Sequence, residues 1–463
     1  MPLSCERHAI HDPVPGRKSG SDGIGCSLSG GRTDECRSHR RFRQEASRRR
    51  WLLVLAAMAG SAGCGGSETG RPDAEIDRWR EQGRYHFEVT RDLDRAVAAL
   101  ESLTTRRPAD VDGLVLLGQA LASAPREWDR AAQLFEAAIA LDSANAAAHS
   151  GLFDARARLG DLAAARSVQR RFARLRPDHP FPYIQAARLA WLRGDRQTVL
   201  QALDELDRAF AGDRTVRAWT AEERARVALV DGRLAAADRL FQEALAVAAV
   251  RGDAVEIIER CVDRAWARVW WSADTLTAVA LVDSVTRAHP MASMSMDEWP
   301  FHYLAEFYAL AGRPDRAVRI LESHAAHMAP PAEALPNPWW QAAWGLTALD
   351  VERPAEAVER FRLWDEGIGC SICALGDLAR ALEAAGEVDS AATVWERYLG
   401  STDPQRIEWD PYYLGMARER LILWYEGSDR TVEAGELRRA LSRQWMGADP
   451  MILQRPSVAA VPR

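Results

Sequence analysis

The sequence contains one CxxC, Cys370-Ser371-Ile372-Cys373. Two thiols at that spacing suit a redox dithiol, half of a tetrahedral metal site, a local disulfide or two packed thiols. No second CxxC and no histidine pair at metal-ligand spacing accompanies it, and the surrounding sequence lacks the βαβ pattern of a thioredoxin fold. A local disulfide between Cys370 and Cys373, or simple packing, is the preferred reading. His324 and His327 precede a Pro-rich stretch and read as surface histidines. Gly-x-Ser-x-Gly, His-Glu-x-x-His and P-loop motifs are all absent. With no legible set of nucleophile, base and orienting group, the chain reads as a binding protein with no catalytic residues, no metal and no cofactor.

The elements that carry these residues are helical. Of 463 residues, 47% are apolar and 27% charged, enough to bury a core along most of the chain. The net charge is −6, and residues 1–63 hold 11 Lys/Arg against 6 Asp/Glu, so the remainder is markedly acidic. That balance argues against a nucleic-acid partner, which requires a basic face.

Residues 1–45 are rich in Gly, Ser, Arg and His and lack apolar periodicity, as a disordered segment or an over-extended start would. Arg48-Arg49-Arg50 then precedes a short apolar run, Trp51 to Ala59, and a small-residue tail ending at Cys64. These are the three parts of a secretory signal, and the run is too short for a permanent membrane span. Ser61-Ala62-Gly63-Cys64 resembles a bacterial lipobox, although that motif usually has Leu where Ser61 stands. The resemblance implies a leader over 1–63, lipidation of Cys64 and a tether over 64–73. It places the protein in the cell envelope, held to the membrane through its N-terminal lipid and facing the periplasm or the outer membrane.

From residue 74 onward the strongest signal is self-similarity. A small or apolar residue is followed by an apolar or aromatic one four later and another three after that: Ala96-Leu100-Leu103, Ala131-Phe135-Ala138 and Val199-Leu203-Leu206, with Ala165 leading a weaker copy. The leading positions 96, 131, 165 and 199 are 35, 34 and 34 apart. That period and pattern resemble the tetratricopeptide repeat (TPR), a pair of antiparallel helices in which a small side chain permits close crossing. Later copies lead with Ala237, Ala278, Ala317, Ala357, Ala391 and Ala434, and breakers such as Gly160-Asp161 and Gly194-Asp195 mark the turns. The expected fold is all-α, a TPR-type solenoid of about ten helix pairs. It divides into regular units over 74–213, irregular ones over 214–369, C-terminal units over 370–445 and a tail over 446–463, with loops at 291–296 and 329–338.

In TPR units, positions 2, 5 and 9 of the first helix face the concave groove where partner segments bind. Counting back from the leading residue as position 20 places Phe181, Trp219, Trp299 and Trp339 at position 2. Glu222 and His302 fall at position 5, and Arg188, Arg226, Glu306 and Arg380 at position 9. Aromatic residues interleaved with charges suit a protein-binding groove. The position-2 aromatics suit packing between neighbouring units equally well, and both readings stay open.

Several short motifs run from Cys370 to Pro450: Cys370-x-x-Cys373-Ala374-Leu375, Gly386-x-x-Asp389-Ser390-Ala391 and Trp395-Glu396-Arg397-Tyr398-Leu399, then Arg406, Asp410, Arg420-Leu421, Tyr425-Glu426, Asp429-Arg430, and Trp445 with Ala448-Asp449-Pro450. Together they resemble the TPR region that follows the kinase domain in bacterial eukaryotic-like Ser/Thr kinases. The kinase itself is absent: Gly-rich loop, His-Arg-Asp and Asp-Phe-Gly are missing, and the chain from Cys64 on has no lysine. The expected function is a scaffold or adaptor that binds an extended or helical segment of another protein. The alternatives are a glycan- or peptide-binding lipoprotein beside an outer-membrane transporter, and a stand-alone sensor module.

Overall fold

The computed structural model describes residues 71–90, 92–124, 127–294, 299–327 and 338–453, all within one compact unit, Ala62–Arg463. The leader, Cys64 and the tether to residue 70 lie outside the described residues. The described residues form an all-α, TPR-type solenoid of twenty-one helices with no strand. Ten antiparallel pairs follow one another. They are α1 (Arg71–Tyr85) with α2 (Leu93–Arg106), α3 (Val111–Ala122) with α4 (Trp128–Leu141), α5 (Ala146–Arg158) with α6 (Leu162–Leu175), and α7 (Phe181–Leu192) with α8 (Arg196–Ala209). Next come α9 (Arg214–Val230) with α10 (Leu234–Arg251), α11 (Ala254–Ser272) with α12 (Thr275–Ala288), and α13 (Phe301–Leu310) with α14 (Pro314–His327). The last three are α15 (Pro338–Asp350) with α16 (Pro354–Gly367), α17 (Leu375–Ala384) with α18 (Val388–Gly400), and α19 (Arg406–Gly427) with α20 (Thr431–Gln444). A short α21 (Pro450–Leu453) lies inside the segment expected to be tail.

The third and fourth pairs show how local chemistry closes a pair. At Gly160 and Gly194 the backbone turns left-handed (φ 81° and 71°), where a Cβ is costly. The next residue, Asp161 or Asp195, caps the second helix by accepting from Ala164 N at 2.8 Å or Thr198 N at 3.0 Å. The leading residues Ala96, Ala131, Ala165, Val199, Ala237, Ala278, Ala317, Ala357, Ala391 and Ala434 are all at most 1% exposed. All ten expected crossing points therefore sit inside the core. The weaker third copy has its own compensation: Gln169 donates to the Pro182 carbonyl at 2.9 Å, linking α6 to the next pair.

One histidine departs from expectation. His324 is 6% exposed and stacks on Phe301 with ring centroids 3.6 Å apart, so it belongs to the interior and not to the surface. The stretch 291–296 begins with a 3₁₀ turn over Met291–Ser293; residues 295–298 and 328–337 lie outside the described residues.

Candidate partner-binding wall and the helix that fills it

The first helices of pairs four to six, α7, α9 and α11, present a wall of charged and indole side chains. Its centre is a ladder of buried alternating charge. Arg226 donates to Glu223 Oε1 at 2.7 Å and bonds Glu222 as well. Glu222 is shared with Arg260, which also donates to Glu256 at 3.0 Å, and Arg251 reaches Glu256 at 2.8 Å. Glu222, Glu223, Glu256 and Arg260 are all buried. Burial pushes the Glu223 carboxyl up and Arg226 pulls it back part of the way. Arg188 sits between Glu408 at 3.6 Å and Asp154 at 3.7 Å.

Further along the chain, Glu306 on α13 is buried, with Oε1 lacking a hydrogen-bond partner. Burial holds its carboxyl well above the usual carboxylate range, and the charge of Asp377 adds to the effect. Asp377 accepts from Arg380 at 2.6 Å, and the Arg380 guanidinium lies 4.9 Å from the Trp270 ring centre.

The wall is not empty. Counting back from Ala434 places the first helix of the tenth pair at about Gly415, yet α19 begins at Arg406. The residues ahead of the repeat register, 406–414, lie along α7, α9 and α11. Trp191 Nε1 donates to Asp410 Oδ2 at 2.8 Å, Trp271 Nε1 to the Pro411 carbonyl at 3.1 Å, and Trp270 Nε1 to the Tyr412 carbonyl at 2.9 Å. Asp410 also accepts from Tyr398 Oη at 3.0 Å and Arg406 Nη2 at 3.0 Å, so this buried carboxylate is fully satisfied. Ile407, Tyr413 and Leu414 are buried alongside it.

Two junctions hold this return of the chain. At one, Gly369 N donates to the Ser123 carbonyl at 2.8 Å, and Trp128 Nε1 donates to the Gly369 carbonyl at 3.1 Å. A Cβ on Gly369 would stand 2.1 Å from the Ala122 carbonyl oxygen, so only glycine fits. Beside it, Asp403 (0% exposed) accepts from Arg158 Nε at 3.1 Å, Ser371 N at 2.9 Å, Ser371 Oγ at 3.1 Å and Gln405 N at 3.0 Å. Thr402 Oγ1 donates to the Ala157 carbonyl at 2.7 Å. Cys370 and Cys373 flank Ser371 and are joined as a disulfide, S–S 2.01 Å. At the other junction, Asp449 N donates to the Gly232 carbonyl at 3.0 Å and Gln444 Nε2 to the Val230 carbonyl at 2.9 Å, with Ile452 fully buried.

Of the residues expected in the groove, Glu222 and Arg226 lie in the ladder beneath α19, while Glu306 and Arg380 form a second cluster beside Tyr413 of α19. Phe181, Trp219, Trp299 and His302 are half-buried. Trp219 packs on the cluster formed by Ala187, Val199 and Leu414, and Trp299 Nε1 donates to the Met294 carbonyl at 3.3 Å. Trp339 is in α15, with its side chain outside the described residues. Sequence reasoning passed over Trp191, Trp270, Trp271, Arg158 and Asp403, and met Arg406 and Asp410 only as residues of the C-terminal resemblance, with no place on the wall. The usable signal was the helical run 406–414 ahead of the repeat register, which the spacing leaves without a place in any unit.

Among the described residues no group of three or more His, Cys, Asp or Glu is arranged to hold a metal, and no helix is long and apolar enough to cross a membrane. No protein-family model matches the chain, nor does any curated protein sequence. Solved structures share some likeness with it. A crystal structure of MamA protein is 17% identical, covering 38% of this chain and 92% of its own, with a TM-score of 0.28. A tetratricopeptide repeat protein from Parabacteroides merdae is 14% identical over 60% of this chain and 99% of its own, TM-score 0.35. The human IFIT1 dimer with m7Gppp-AAAA is 15% identical over 89% of this chain and 88% of its own, TM-score 0.36.

Proposed function

We propose that this chain is a protein-interaction scaffold, lipid-anchored through Cys64 in the bacterial cell envelope, whose inner wall binds a helical segment. The observation that carries the reading is that the wall already holds one. Three indoles and a ladder of charges seat residues 406–414 through a carboxylate, two backbone carbonyls and an apolar face. Recognition of a helix by side-chain donors with apolar anchors is a recurring mode of peptide binding. The lipobox-like Ser61–Cys64 motif supports the anchor, and the excess of acid over base supports a protein partner over nucleic acid.

Photo-crosslinking in the producing cell tests this. A photoreactive side chain at His302, half-buried on α13 and at a groove position by the repeat count, should give one discrete adduct with another protein. The same group at Leu276, 77% exposed on a second helix, should not. Adducts from Leu276 alone, or from neither site, overturn the reading.

A further inference from the structure

The disulfide lies at the junction that keeps the wall covered. Ser371, between the two cysteines, supplies two of the four hydrogen bonds that hold Asp403, and Gly369, next to Cys370, makes both contacts with α3 and Trp128. Asp403 and Thr402 immediately precede the segment that fills the wall, and both are bonded to the end of α5. Cys373 N donates to Cys370 Sγ at 3.1 Å, which closes the loop on itself. Both cysteines are buried while the loop is docked. A reductant therefore reaches the sulfurs only when the loop lifts, and reduction and undocking are thermodynamically coupled.

We infer that Cys370–Cys373 is a redox-modified clasp: oxidised, it holds the 369–373 loop in the shape that docks Gly369 on α3 and Ser371 on Asp403; reduced, it frees residues 406–414 to leave the inner wall. The reductant is a dithiol. One of its thiolates attacks a cysteine sulfur, the S–S bond breaks and a mixed disulfide forms. Its second thiol then displaces the remaining cysteine. Two electrons and two protons end on Cys370 and Cys373, and the reductant leaves as its own disulfide. Reduction restores conformational freedom to a loop whose four hydrogen-bonding groups must act together. That the uncovered wall then takes a partner helix rests on the function proposed above.

Hydrogen exchange read by mass spectrometry on the whole protein, with and without dithiothreitol, tests the clasp. Reduction should speed amide exchange in 369–373 and 406–414 by about tenfold or more while leaving α10 and α12 unchanged. The Cys370→Ser/Cys373→Ser variant should exchange fast in both conditions. Should that variant not fold, the wild-type comparison decides alone. Two freed thiols with unchanged exchange overturn the clasp, as does a disulfide that dithiothreitol cannot open. A synthetic peptide of residues 403–416, added in trans, separates the two ideas. Binding only after reduction supports the wall as a helix site. Faster exchange without peptide binding leaves the clasp standing and sinks the wall.

Discussion

Arg158 and Asp403 are 245 positions apart in sequence, yet Arg158 Nε lies 3.1 Å from Asp403 Oδ2, with the carboxylate fully shielded from solvent. The pair joins the end of α5, the first helix of the third pair, to the segment leading into the tenth. Arg158→Ala leaves a buried carboxylate with its amide and hydroxyl donors but no counter-charge, at a cost of about 3–5 kcal/mol. Urea denaturation of the variant should show that loss, appearing first in probes on α19. A change below ~1 kcal/mol would mean that the pair does not hold the return of the chain.

Gly369 is expected to be intolerant of the smallest side chain. Gly369→Ala places a carbon against the Ala122 carbonyl, and overpacking of this kind costs about 1–3 kcal/mol. Alanine at Gly400, which has open space around its Cβ, is the comparator and should be nearly silent. Equal melting temperatures for the two variants would contradict the close approach seen here.

Glu306 predicts a pH dependence of definite sign. Its folded-state carboxyl titrates well above an ordinary glutamate, chiefly through burial and then through Asp377. In the window between the two values the folded state holds a proton that the unfolded state has lost. Its contribution to stability is therefore fully present below the unfolded value of about 4.3 and declines as pH rises towards the folded one. Glu306→Gln, a mimic of the protonated acid, should match wild type at low pH, become the more stable protein as pH rises, and remove this part of the decline. A constant gap between the two stability curves across pH 4–8 would exclude the assignment.

Cys64 carries the expectation for location. Diacylglycerol plus an amide-linked chain adds about 0.8 kcal/mol per buried CH₂, enough for lasting attachment where a single chain is marginal. Wild type should fractionate with membranes and begin at a lipid-modified Cys64, and Cys64→Ser should be soluble or retain its leader. Mass spectrometry finding an unmodified N-terminus upstream of residue 64 would remove the anchor.

The repeat was legible because its causes are local. Ala96, Ala131, Ala165 and Val199 recur at the length of one helix pair, and the third and fourth pairs are closed by sequence neighbours, Gly160 with Asp161 and Gly194 with Asp195. Crossing points, turns and the number of pairs therefore follow from the order of residues alone. Position counting also singled out Glu222, Arg226 and Glu306, which the structure places in buried charge clusters. It did not say what would lie against them, because each position was counted within a single unit. Whether Trp191 meets a partner or Asp410 depends on small rotations between units, summed over six pairs, which no local pattern records. Only the tertiary structure decided that residues 406–414 return to the wall, that Asp403 completes its bonds with Arg158 and Ser371, and that Gly369 must be bare. Those contacts join segments far apart in the chain, and their partners are set by the accumulated path of the solenoid.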